Sequence, residues 1–146
     1  MGCDIHAFLE YKNKNKWISK GRIFGGGWRD YEVFGILAGV RTPITPIIPL
    51  RGMPKDACKD AFESFKEYGC DGHSHTWYMA NELIDWNRKL VYNKKPKFES
   101  WYGYSKDFIS ENKTQILESY ESFIEELEGY LEYEPNVCRI VMFFDN

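Results

Sequence analysis

The chain has 146 residues, 43% hydrophobic and 17% aromatic, with a formal net charge of −3. That length and composition suit one globular domain with a proper core, and the charge excludes the overall basic field that drives binding to duplex nucleic acid. Four cysteines without a Cys-x-x-Cys pair exclude zinc-ribbon spacing. With no signal peptide and no apolar run of membrane length, a cytoplasmic setting and no membrane partner are expected.

In residues 3–11, Cys3, Ile5, Ala7 and Leu9 fall on one face, and Asp4, His6, Phe8 and Glu10 on the other. Period-two alternation predicts a half-buried strand, which sets Asp4 and His6 on one side, about 7 Å apart. Asn13-Lys14-Asn15 predicts a turn into a second strand near Trp17–Lys20. Lys12, Lys14, Lys16, Lys20 and Arg22 form an early basic cluster, whose lysines read as solvated edge charges. Three glycines at 25–27 then permit close backbone approach. Arg29, beside Trp28 and Tyr31, could clamp a phosphate and stack a base, although a plain flexible loop fits the same residues. Residues 31–38 predict a short buried helix with Gly39 as its C-cap.

Between Arg41 and Pro54 lie four of the six prolines, Pro43, Pro46, Pro49 and Pro54, which predict an extended loop. Arg41 and Arg51 at its ends could face an anion or pair with the acidic part of the chain. Lys55–Tyr68 predicts a helix with Ala57, Ala61, Phe62, Phe65 and Tyr68 as its core stripe and Gly69 as its stop. The stretch Cys70-Asp71-Gly72-His73-Ser74-His75-Thr76-Trp77 reads as a connection into another helix, capped by Ser74 or Thr76. A helix N-terminus there would favour an anion and a neutral imidazole. Residues 93–105 read as an aromatic loop. Residues 106–132 predict the longest helix, with Ile109, Ile116, Tyr120, Phe123, Leu127 and Leu131 as its apolar stripe. The apolar run Cys138–Phe144 predicts a central strand, ending at Asp145.

These elements predict an α+β fold over residues 1–146 as a single domain. A small, mostly antiparallel sheet of the N-terminal hairpin and the C-terminal strand would be packed with three or more helices. If the first and last strands are neighbours, Asp145 comes near Asp4 and His6.

Each of the three histidines shares a short segment with an aspartate, as Asp4-Ile5-His6 and Asp71-Gly72-His73-Ser74-His75. Carboxylate with imidazole suits both a divalent metal ion and general acid–base chemistry. Asp4, His6, Asp71, His73 and Asp145 are therefore the candidate metal ligands, and Asp71, His73 and His75 the candidate catalytic groups. Arg29, Arg41 and Arg51, with Trp28, Tyr31 and Trp77, are the candidate ligand-binding residues.

Met1-Gly2-Cys3-Asp4-Ile5-His6, Arg29-Asp30-Tyr31, Phe34–Arg41, Arg51-Gly52-Met53-Pro54, Asp71–His75 and the terminal Phe144-Asp145-Asn146 together resemble a family of small bacteriophage and prophage proteins. The resemblance covers nearly the whole chain and implies a setting, a phage-encoded protein at work in the bacterial cytoplasm, where small phage proteins often counteract host defence. Three functions fit that setting. One is a metal-dependent phosphohydrolase or phosphodiesterase acting on a nucleotide or nucleotide-derived signal. Another is a non-catalytic sponge that sequesters an immune nucleotide. The last is a protein inhibitor that covers a host enzyme with its aromatic residues.

Overall fold

Alternating and continuous apolar runs become strands, and the 3.6-residue patterns become helices. In chain order these are β1 (Asp4–Asn13), β2 (Lys16–Ile23), α1 (Tyr31–Ala38), α2 (Lys59–Tyr68), β3 (Gly72–Met79), α3 (Ala80–Tyr92), α4 (Lys106–Tyr130) and β4 (Cys138–Asp145). The fold is α+β, as expected. The computed structural model describes residues 2–25, 27–42, 44, 46–92 and 106–146. The expected aromatic loop at 93–105, Gly26 of the glycine run, Pro43, and the side chain of Ile109 lie outside the described residues. Among the described residues no helix is long and apolar enough to cross a membrane.

Two compact units emerge. The first comprises Met1–Arg29, Leu50–Asn81 and Leu131–Asn146, and the second Asp30–Pro49 and Glu82–Tyr130.

The first unit holds a four-stranded antiparallel sheet in the order β2-β1-β4-β3. Lys14 and Asn15 take left-handed φ values of 49° and 66°, the backbone a two-residue hairpin loop requires. β4 lies between β1 and β3 and is buried from Cys138 to Phe144, which explains its lack of alternation. The register pairs His6 with Phe143 and Phe8 with Val141, so these four side chains share one face. That face is covered by α2. Phe8, Val141 and Phe143 form a cluster with Ala61 of α2, with Phe65 and Tyr68 packed against it. Phe62, expected in the same stripe, is instead 41% exposed.

The expected helix from Lys55 begins only at Lys59, because the residues before it bind the sheet. Arg139 on β4 donates through Nε to Glu10 on β1 (2.7 Å), and through its terminal nitrogens to the Asp56 side chain and backbone carbonyl (3.0 and 3.1 Å). The other Glu10 oxygen accepts from the Cys58 backbone N–H at 2.7 Å. Arg139 also lies 3.9 Å from the centre of the Trp17 ring. Glu10 and Arg139 are buried yet fully engaged, as buried charges must be.

In the second unit, Asp30 caps α1 by accepting from the Val33 N–H at 3.2 Å, and Gly39 ends it with φ +68°. In the α4 stripe Ile116, Tyr120, Phe123 and Leu127 are buried. The Tyr120 hydroxyl donates to the Leu83 carbonyl at 2.8 Å, and Trp86 meets its ring edge-on.

The expected connection ahead of α3 is also overturned. Gly72–Met79 is a strand and not a connection: it pairs with β4 from Gly72↔Asp145 to Met79↔Arg139, and α3 starts only at Ala80. Ser74 and Thr76 therefore lie inside a strand and cap no helix.

Candidate functional site at the end of the sheet

β1 brings Asp4 and His6 to one end of the sheet, and β4 brings Asp145 to the same end, paired directly with Asp4. Asp145 thus joins the N-terminal motif across 139 residues of chain. Its Oδ2 lies 2.7 Å from Nε2 of His6, and its Oδ1 accepts from the Asp4 backbone N–H at 3.3 Å. The second ring nitrogen of His6, Nδ1, lies 2.9 Å from a terminal nitrogen of Arg22.

These contacts fix the proton. A carboxylate accepts and a guanidinium donates, so His6 carries its hydrogen on Nε2 and offers the Nδ1 lone pair to Arg22. The ring is buried, 4.3 Å from Tyr68 and stacked 4.8 Å from Phe143. It therefore has one tautomer and little freedom to turn.

Arg22 reaches His6 because β2 bulges. The register shifts opposite Leu9/Glu10, where Gly21 takes φ +88° and its N–H donates to Ser19 Oγ at 3.0 Å. An unshifted hairpin would pair Arg22 with Ala7 on the opposite face, whereas the bulge pairs it with Phe8.

A second arginine flanks the dyad. Arg29 donates through Nε to Asp4 Oδ1 at 2.7 Å, and this hydrogen bond holds the Asp4 carboxyl below its ordinary value. Gly2 makes room for it. A Cβ there would collide with the Arg29 guanidinium.

The other candidates are distributed as follows. His75 lies on the His6 face, stacked 5.5 Å from Phe143 and edge-on to Phe65 at 4.8 Å. Its Nε2 is buried with no hydrogen-bond partner, and burial lowers its affinity for protons, helped by His73. His73 pairs with Phe144 and so lies on the opposite face from His6. Asp71 is exposed in a 3-10 turn, Gly69–Asp71. The five expected metal ligands are thus not gathered around one point, and among the described residues no group of three or more His, Cys, Asp or Glu side chains could hold a metal ion. The reason is the sheet itself, whose two faces separate His6 from His73.

Arg51 and Trp77 do meet. The guanidinium lies 4.3 Å above the indole and donates to the Trp77 carbonyl at 3.1 Å, strapping the 50–54 segment to the outer edge of β3. Trp28 packs on Phe24 at 4.8 Å. Arg41 lies over Tyr31 in the second unit. Burial first, then its Glu10 contact, push the Cys58 thiol up to about 12, which disfavours its thiolate.

Sequence reading missed Arg22, grouped with the edge lysines, and Tyr68, assigned to the core. Comparison with protein-family models, curated proteins and solved structures finds no match.

Proposed function

We propose that the protein is a phosphodiesterase or phosphohydrolase acting on a nucleotide or nucleotide-derived signal, with the Asp145–His6 dyad as its general base. The observation that carries this reading is the position of His6 between a carboxylate on Nε2 and a guanidinium on Nδ1. Asp145 holds the tautomer and stabilises the imidazolium that forms when Nδ1 takes a proton. Arg22 covers that lone pair in the resting protein. A phosphate offers Arg22 a stronger, charge-assisted bond than a neutral nitrogen does, so substrate draws the guanidinium away and uncovers the base. Nδ1 then takes the proton of the attacking water or ribose hydroxyl, while Arg22 stabilises the charge on the phosphoryl oxygens. Arg29, held by Asp4, supplies a second cation beside it. The phage resemblance suggests the setting, removal of a host defence signal in the bacterial cytoplasm.

The test is incubation with cyclic and linear nucleotides, with and without a chelator, followed by chromatography of the solution and of heat-released ligand. Turnover that survives the chelator and falls about 10²–10⁴-fold in His6→Ala is expected. Turnover abolished by the chelator returns the water activation to a metal ion. Nucleotide recovered intact overturns hydrolysis, and its release only on heating identifies a sponge.

A further inference from the structure

The opposite face of the same sheet end carries a second hydrogen-bonded chain. Nε2 of His73 lies 3.2 Å from Oδ1 of Asn146, and Nδ1 lies 2.9 Å from Oγ of Ser74. An amide oxygen only accepts, so Nε2 carries the hydrogen, Nδ1 is bare, and the Ser74 hydroxyl donates to it. Hydroxyl, imidazole and orienting carbonyl are thereby connected in the order of a nucleophile, its base and the group that holds the base.

Local backbone geometry creates this chain. Successive residues of a regular strand point to opposite faces, which would turn Ser74 away from His73. Instead β3 is irregular between His73 and Thr76, and Ser74 takes φ +56°. The left-handed region is unfavourable for a residue with a Cβ, and here it turns the hydroxyl back onto the imidazole. Bulges beside active sites often re-aim a side chain in this manner, and strained residues collect at such sites. His73 and Ser74 are half-buried and Asn146 is exposed, so the chain is open to a substrate.

We propose that Ser74, His73 and Asn146 form a second reactive centre, a serine nucleophile directed at carboxylic esters. Ser74 Oγ attacks the ester carbonyl carbon as Nδ1 of His73 takes its proton. The C–O bond to the alcohol then breaks, and the alcohol leaves with that proton. Water, deprotonated by the same Nδ1, cleaves the acyl–Ser74 bond and releases the carboxylic acid, and Ser74 regains its hydrogen. Asn146 is a positioning residue. Because it is neutral, it stabilises the imidazolium less than a carboxylate does, which suits activated esters over amides.

The test treats the full chain with a fluorophosphonate probe, maps the adduct, and follows p-nitrophenyl acetate hydrolysis. An adduct on Ser74 is expected. It disappears in Ser74→Ala and in Ser74→Gly, the second variant being compatible with the left-handed backbone of the bulge. Ester turnover falls at least tenfold in His73→Gln. It rises in Asn146→Asp, a gain that a merely structural role for Asn146 would not produce. No adduct, an adduct elsewhere, or equal labelling of the Ser74→Gly variant overturns the proposal. Nucleotide turnover at His6 plays no part in any of these readouts, so the two centres stand or fall separately.

Discussion

His6 on β1 and Arg22 on β2 meet at 2.9 Å only because β2 carries one residue more than β1 between their paired ends. Gly21, at φ +88° with open space where a Cβ would stand, allows that extra residue. Gly21→Ala should cost about 1–2 kcal/mol through backbone strain alone. If the strain is relieved by removing the bulge, Arg22 turns to the other face. The expected outcome is a modest drop in urea stability together with loss of the ¹⁵N signature of an Nδ1 acceptor at His6. Unchanged stability and an unchanged His6 signal would mean that the bulge does not depend on glycine.

Acid should act on His75. Its proton affinity is lowered by burial against Phe143 and Phe65, so as pH falls through the ordinary imidazole value near 6.5 the unfolded chain takes up a proton that the folded one does not. Stability is then lost on the acid side of that value, down to the lower folded value, and is unaffected above it. His75→Phe keeps a stacked ring and removes the orphaned Nε2. The variant should gain about 1 kcal/mol at neutral pH and lose less stability than the parent between pH 7.5 and 5. Parallel pH profiles for the two proteins would exclude this assignment.

The Glu10–Arg139 pair is the most sensitive point of the sheet. Both side chains are almost completely buried, so Arg139→Met alone leaves a carboxylate without its charge partner and should cost about 3–5 kcal/mol. The double change Glu10→Gln with Arg139→Met should recover part of that loss. Asp56→Ala should cost far less, because that carboxylate is 67% exposed. A urea-denaturation cycle over these variants checks the order.

The two central strands and the C-terminal ends of α1 and α2 were legible in the sequence because their signals are local. Alternation over residues 3–11, the left-handed turn at Lys14-Asn15, Gly39 and the apolar run of β4 each report the structure of their own neighbourhood. β3 gave no such signal. Its polar Gly-His-Ser-His opening is strand only because β4 pairs with it, and the turn of Ser74 breaks the period of two. His73 and His75, two residues apart, would share a face in a regular strand, yet they lie on opposite ones. The same limit applied to Arg22. Both centres are set by irregularities of one residue, and a periodic reading averages these away.

β4 also determines when either centre can exist. The β1–β2 hairpin closes over two residues, but pairing β1 with β4 joins positions up to 141 residues apart. Such a fold has high contact order, and the chain must meet the entropy of a long loop closure before the central strand can contribute any stability. Phe144, Asp145 and Asn146 serve His6 on one face and His73 on the other. A refolding intermediate that has only its hairpin and helices therefore has neither centre, and recovery of both reactivities should follow the slow, global folding phase with a single rate.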